Sequence, residues 1–250
     1  NIEQINPYKM VTGGEWFTIF SEGNTSEGIF EIQYNSSIGE HNNMYEVTRP
    51  RSNNFLASIF ALEILSPELS KETIRGNGSI IPSSRTIWKY IGKKPDAFTY
   101  RSGTEEESCN WIVYRLADVL LMKAEALSQM GNYDEALQIV NQIRNRAFME
   151  PIDSYQKTPQ AFEDLILRER AKELAFEGKR WFDLLRMGRR NNYDRKAKLI
   201  ELIIRKVPAT QKRVLAAKLK DPYGWYLPIP STEIERNINL VQNPYYQTYE

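Results

Sequence analysis

The sequence is poor in the residues that build most metal sites and covalent catalytic sites. Its 250 residues include one cysteine, Cys109, and one histidine, His41. A single cysteine excludes an internal disulfide and any cysteine-rich metal site. A single histidine makes a histidine-based zinc site or a Ser-His-Asp triad implausible. We therefore expect a protein without a metal, a cofactor or catalytic residues.

Two further absences limit the partners of the chain. The formal net charge is +1 and no dense basic block occurs, so nucleic-acid binding has no electrostatic basis. No apolar stretch approaches the roughly 20 residues that a membrane-spanning helix needs. The chain begins Asn-Ile-Glu, with neither a Met nor a signal sequence, and we interpret it as a fragment or a processed form.

The chain changes character near residue 111. Before that point, short segments rich in Gly, Asn, Ser and Pro predict loops, with extended segments at 27–34 and 85–92. After it, the apolar residues recur with a helical period. The helices predicted from this period cover 112–130, 134–147, 160–178 and a shorter stretch through Leu185. We expect residues 1–110 and 111–250 to be parts of a single continuous domain.

The sequence GNYDEA, residues 131–136, predicts a tight connection between two antiparallel helices. Gly131 ends the first helix and Tyr133 is placed to wedge between the two. Ala136 and Ala124 are small residues at the point where the helices cross. This pattern resembles a tetratricopeptide unit, in which helical hairpins stack on one another. Since one unit cannot bury its own faces, we expect further helical pairs to pack here.

Three longer stretches occur in an order and at a spacing that fit one family. They are NWIVYRLADVLLMKAEALSQMGNYDEALQIVNQIRNRA (110–147), LILRERAKELAFEGKRWFDLLRMGR (165–189) and YLPIPSTEIERNINLVQNPYY (226–246). Together they resemble the C-terminal half of a SusD/RagB-like protein. EGIFEIQY and ETIRGNG…WKY fit the middle of that family. One departure is that Glu72 and Arg75 stand where the family leads us to expect an Asp-x-Arg pair.

The resemblance implies both a fold and a function. The implied fold is mainly α, with tetratricopeptide-like helical hairpins in an α-α superhelix, loop-rich segments and a few short β-strands. The implied function is non-catalytic capture of glycans, or of another nutrient, for delivery to a TonB-dependent outer-membrane transporter. Such a protein is a lipoprotein of the outer membrane at the bacterial cell surface. This chain would contact the membrane only through a lipid anchor that it does not contain.

Two glutamates lie on a helix face that is otherwise apolar. Glu169 and Glu173 share that face with Phe162, Ile166 and Phe176. Glycosidases also use two carboxyl groups, about 5–5.5 Å apart in retaining enzymes and about 6.5–9.5 Å apart in inverting ones, but these must line an open cleft. A packed face instead predicts that both carboxylates are buried in ion pairs. The cations available for this pairing are Arg115, Lys123, Arg170 and Arg180.

Sugar sites combine aromatic rings with polar side chains in a concave surface. The loops 34–54 and 93–108 supply such residues, so we expect the part of the chain before residue 111 to face the ligand. The candidate ligand-binding residues are Tyr34, His41, Asn43, Tyr45, Arg49 and Tyr100. We expect Tyr45 to be the main stacking ring, so that its replacement by Ala weakens binding about tenfold with little change in melting temperature.

Two alternatives remain open. The first is a helical-repeat scaffold that binds another protein, and an extended concave groove without an aromatic sugar platform would favour it. The second is a glycoside hydrolase, which requires two carboxylates that face an open cleft.

Overall fold

The computed structural model describes residues 8–50 and 55–249. The chain divides into two units, one up to Trp181 and the other from Phe182 onward. Within the described residues, no helix is both long and apolar enough to cross a membrane.

The part of the chain before residue 116 consists of short elements. In chain order they are α1 (Thr18–Ser21), β1 (Gly28–Ile32), α2 (Met44–Thr48), α3 (Ile59–Leu65), α4 (Pro67–Ser70), α5 (Thr73–Ser79), β2 (Ile80–Ile81), β3 (Thr86–Ile87) and β4 (Trp111–Arg115). The 3-10 turns Ser36–Ile38 and Gly103–Glu105 lie in the connections. Strand β1 pairs with β4 and β2 pairs with β3, both antiparallel.

Longer helices follow. They are α6 (Leu116–Gln129), α7 (Tyr133–Arg146), α8 (Pro159–Glu173), α9 (Arg180–Tyr193), α10 (Lys196–Ile204), α11 (Ala209–Lys218) and α12 (Ser231–Arg236), with 3-10 turns at Pro222–Trp225 and Pro244–Tyr249. Helix α8 begins where expected because the Thr158 side chain accepts a hydrogen bond from the Ala161 amide and Pro159 occupies the first turn. The mainly helical fold with a few short strands is the one predicted from the sequence.

The hairpin of α6 and α7 forms as its sequence predicts. Gly131 has φ +83°, a conformation that ends α6 and that side chains with a Cβ rarely adopt. Ala124 and Ala136 are fully buried where the two helices cross. Tyr133 packs on Phe162 of α8, with ring centroids 4.9 Å apart. Residues of α6, α7 and α8 all contribute to one apolar cluster of the first unit.

The close crossing of α6 and α7 leads to a stability prediction. We expect Ala124→Leu to lower the free energy of unfolding by about 1–3 kcal/mol, because a fully buried site cannot accept three more carbons without displacing a neighbour. Ala126→Leu is the matched control, since Ala126 is exposed on the same helix. Urea denaturation measures both variants. Equal stability of the two would contradict the close crossing.

The start of the long helical region differs from the prediction. Residues 111–115 form strand β4, and α6 begins only at Leu116. The residues Trp-Ile-Val-Tyr favour a strand, and β1 supplies the partner, with Phe30 opposite Tyr114. Because β1 precedes residue 111 and β4 follows it, the change of character at 111 falls inside the first unit.

Other elements also have boundaries that differ from the predicted ones. The extended segment 85–92 contains only the two residues of β3 and then turns, with the Gly92 amide donating to the Trp88 carbonyl at 2.9 Å. Helix α8 ends at Glu173, and Phe176 and Gly178 beyond it adopt left-handed conformations with φ +66° and +76°, which cannot continue a right-handed helix. The predicted loop 34–54 contains helix α2, and its residues 51–54 lie outside the described residues.

Candidate functional site

A network of ion pairs is buried inside the first unit, at points where elements begin or end. Glu27 directly precedes β1, and Arg115 is the last residue of β4, so the pairing of these strands places the two together. Arg146 is the last residue of α7 and Glu173 the last residue of α8. The ends of four helices and strands therefore meet at one group of charged side chains.

Arg115 and Arg146 share the same acidic partners. The Arg115 guanidinium lies 2.6 Å from Glu27 Oε1, 2.7 Å from Glu173 Oε1 and 2.9 Å from Glu177 Oε2. Arg146 donates to Glu173 and, at 3.0 Å, to Glu27 Oε2. The indole of Trp16 also donates to Glu173, at 3.3 Å. Each carboxylate thus has several donors.

A third arginine, Arg75, joins the network from helix α5. Arg75 binds both carboxylate oxygens of Glu72 at 2.8 Å, in a side-by-side arrangement three residues apart. Its remaining nitrogen lies 2.6 Å from Glu169 and 3.4 Å from Glu173. Lys172 adds a further donor to Glu72 at 2.8 Å. The Glu72–Arg75 pair that departs from the family pattern is therefore a structural pair.

The network sets the ionisation of its members. Burial alone would raise the pKa of Glu173, but the charges of Arg146, Arg115 and Arg75 outweigh burial and hold that pKa well below its usual range. The pKa of Glu177 is lowered in the same way, with burial opposed by Arg115 and Lys89. Burial lowers the pKa of Lys89 to about 8, although Glu177 acts in the opposite direction.

This geometry confirms that Glu169 and Glu173 are buried in ion pairs. Their exposed fractions are 2% and 0%. Of the four cations expected as partners, Arg115 binds Glu173, whereas Arg170 binds Asp118 at 2.7 Å and Lys123 is exposed. The fourth, Arg180, donates to the carbonyl of Leu167 at 2.8 Å. Carboxylates enclosed in this way cannot reach a substrate in a cleft.

The sequence did not single out Arg75 or Arg146 as partners, because each comes from another helix. Within the described residues, no group of three His, Cys, Asp or Glu side chains is arranged to hold a metal ion. Cys109 is buried, and burial raises its pKa, which keeps it in the unreactive thiol form.

The structure brings the two candidate loops together. The Asn42 amide donates to the Glu107 carbonyl at 2.7 Å, and the Asn42 side chain donates to the Cys109 carbonyl at 2.7 Å. The Ser36 hydroxyl donates to the Thr104 carbonyl at 2.7 Å. Segments that are far apart in the sequence are thus held side by side.

The candidate residues of these loops lie in different environments. His41 Nδ1 is 2.6 Å from Glu107, and Arg49 is 2.8 Å from Glu46. Tyr100 is 41% exposed, and its ring meets the buried Trp88 edge-on at 4.9 Å. The other two exposed or half-buried candidates are Tyr34 and Asn43.

Tyr45 requires a correction. Only 8% of it is exposed, because its ring packs in a cluster with Phe17, Trp88 and Ile91. A ring whose faces are covered offers no platform to a sugar, and its removal would leave a cavity. Tyr45 is buried because its segment packs against residues that are far away in the sequence. The polar composition of the loop gave no indication of this packing.

The second unit contains a concave pocket that the sequence interpretation missed. Its volume is about 600 Å³, and its lining includes Arg189, Tyr193, Tyr223, Tyr226 and Asn243. The available signal was the run Tyr-Gly-Trp-Tyr between two prolines, in which tyrosines flank a single tryptophan.

Comparisons with known proteins agree with one another. The family model described as "SusD family" matches residues 70–246. SusD-like protein P38 of Formosa agariphila is 42% identical over 87 residues, which are 32% of this chain and 17% of that protein. SusD-like protein P2 of the same organism is 34% identical over 145 residues, which are 55% of this chain and 26% of that protein.

Solved structures share the fold at lower identity. A SusD superfamily protein from Bacteroides vulgatus is 20% identical with a TM-score of 0.67, over 96% of this chain and 56% of that one. Surface glycan-binding protein A from Bacteroides uniformis is 20% identical with a TM-score of 0.65, over 98% of this chain and 54% of that one. The chain spans about half the length of these proteins.

Proposed function

The chain belongs to the SusD family, and from this premise we propose that it captures glycans at the bacterial cell surface without cleaving them. We further propose that it delivers them to a TonB-dependent outer-membrane transporter and is held at the outer membrane by a lipid anchor. The observation that carries the proposal is the family match over residues 70–246.

Two further observations support capture without cleavage. Glycan-binding members of the SusD family are non-catalytic, and one solved structure with this fold is a surface glycan-binding protein. In this chain, the paired acids of α8 are enclosed by arginines instead of facing a cleft. A glycoside hydrolase needs one carboxyl group that donates a proton to the leaving group. It needs a second one that either attacks the sugar or activates a water molecule, and both must contact the substrate.

We propose that the loop surface contacts the glycan. It is defined by Tyr34, His41, Asn43, Arg49 and Tyr100. These side chains combine two phenol rings with an imidazole, an amide and a guanidinium, which is the mixture that sugar hydroxyls and ring faces require. The buried Trp88 ring contacts the Tyr100 ring edge-on at 4.9 Å, so the Tyr100 ring is already restrained before a ligand arrives.

A glycan screen tests the function. The chain is titrated calorimetrically with a panel of oligosaccharides that includes neutral and acidic sugars, and with a polypeptide as a different nutrient class. We expect binding to at least one oligosaccharide and no release of reducing ends on prolonged incubation. Release of reducing ends that Glu169→Gln abolishes without loss of folding would show an enzyme instead.

The position of the glycan has its own prediction. We expect Tyr100→Ala to weaken oligosaccharide binding about tenfold, since a stacked aromatic ring contributes about 1–3 kcal/mol. Tyr155→Ala is a matched control, because Tyr155 is 37% exposed and also meets a buried ring edge-on, that of Phe162. Titration calorimetry compares the two variants. Equal affinity of both would remove Tyr100 from the site.

A further inference from the structure

The pocket of the second unit presents rings that are held rigidly. Trp225 lies between Tyr223 and Tyr226 in the sequence. Its side chain is buried, and its indole donates to the Leu219 carbonyl at 2.9 Å. The Asp221 side chain accepts from the Tyr223 amide at 2.9 Å. The Asn243 side chain, from a different segment, donates to the Tyr223 carbonyl at 2.9 Å. A ligand therefore meets rings whose backbone is already ordered, which lowers the entropic cost of binding.

The third ring reaches the pocket through an unusual backbone conformation. Asn191, Asn192 and Tyr193 have φ of +47°, +55° and +65° at the end of α9. A bulky residue such as tyrosine is rarely left-handed, and the cost must be offset by its surroundings. Here the Tyr193 ring packs edge-on against Trp225 at 5.6 Å. Left-handed residues of this kind concentrate at ligand sites, where they place a side chain that a regular helix could not.

The pocket also carries an uncompensated positive charge. Arg189 is the one charged side chain among the described residues that line it. Its guanidinium lies 5.8 Å from the centroid of the Tyr226 ring. Among the described residues, no carboxylate pairs with Arg189, unlike the arginines of the buried network in the first unit. Its donors are available to an anionic group of a ligand.

We propose that this pocket is a second glycan site, and that it binds acidic sugars. The three tyrosines would face pyranose rings, and Arg189 would bind a carboxylate or sulfate group on one of them. A neutral sugar would use the rings alone and bind more weakly. This inference rests on the proposed function, to which it adds a second site and a class of ligand.

Calorimetric titration of the whole chain tests the site with three hexasaccharides: a galacturonate for the carboxylate, a carrageenan for the sulfate, and cellohexaose as the neutral probe. We expect at least one acidic probe to bind more tightly than cellohexaose, and the tighter of the two identifies the anionic group. Arg189→Gln should weaken that acidic probe about tenfold and leave cellohexaose unchanged, because only the acidic probe uses the charge-assisted bonds. The Tyr223 ring is 56% exposed, and Tyr223→Ala should weaken binding of the same acidic probe about tenfold because the stacking contact is lost.

Control variants separate the possible outcomes. Arg213→Gln removes an exposed positive charge elsewhere in the second unit and should change nothing. If Arg189→Gln and Tyr223→Ala bind the acidic probes like the unmodified chain while Tyr100→Ala loses affinity, the pocket is not a glycan site but the proposed function stands. Equal affinity for acidic and neutral probes overturns the assignment of ligand class. If the chain binds no oligosaccharide of any kind, the proposed function and this inference both fail.

Discussion

Glu173→Ala should lower the free energy of unfolding by about 3–5 kcal/mol, the usual result of leaving buried charges without their partner. Glu173 is completely buried and lies against three arginines, Arg75, Arg115 and Arg146. Without its carboxylate, these guanidinium groups lose a shared acceptor in a region that water does not reach. Chemical denaturation followed by circular dichroism measures the change.

The control for this prediction is an acid in an exposed pair. Glu201 lies 3.1 Å from Lys198 on the surface of α10, so that solvent screens the pair. Glu201→Ala should therefore leave stability nearly unchanged. If Glu173→Ala were as harmless as Glu201→Ala, the buried network would not hold the first unit together.

The second large effect is a loss of stability in acid. The folded protein depresses the pKa of Glu173, Glu177 and Asp118 below the ordinary range. A depressed pKa contributes stability that is fully present above the ordinary pKa of about 4–4.5. This contribution is lost as the pH falls below that value toward the folded-state pKa. We expect the melting temperature to decrease steeply between about pH 5 and pH 3.

A variant of Glu173 tests whether the loss of stability in acid arises from the buried network. Glu173→Gln cannot titrate at this position, so it should start at a lower melting temperature at pH 7 and lose less than the unmodified chain on acidification. Calorimetric scans at several pH values measure both. If the melting temperatures of the two proteins decreased in parallel with pH, the loss of stability in acid would arise from other groups.

Lys89 makes the opposite contribution at alkaline pH. Its pKa of about 8 lies below the ordinary 10.5, so folding disfavours its protonated form. The penalty is present in full below pH 8 and disappears as the pH rises toward 10.5. Within this same set of scans, the difference in melting temperature between the unmodified chain and Lys89→Met should change across that interval and stay constant below it.

Some features of this protein were determined by sequence within a single segment. The hairpin of α6 and α7 follows from Gly131, Ala124 and Ala136, since these residues act within one helical pair. The burial of Glu169 and Glu173 follows from their apolar neighbours on one helix, because a helix turns the same face toward the core at every turn. Both predictions needed no knowledge of the rest of the chain.

Only the tertiary structure decided which residues meet. Glu173 is 98 residues away from Arg75 and 58 from Arg115 in the sequence, and periodicity shows that an acid is buried but not which cation reaches it. Tyr45 lies in a polar segment, yet Phe17 and Trp88 cover it. Trp111 to Arg115 became a strand because β1, more than 70 residues earlier, supplied the hydrogen bonds. The common reason is that a local pattern reports the environment a segment prefers, whereas partners depend on which distant segments the fold brings together.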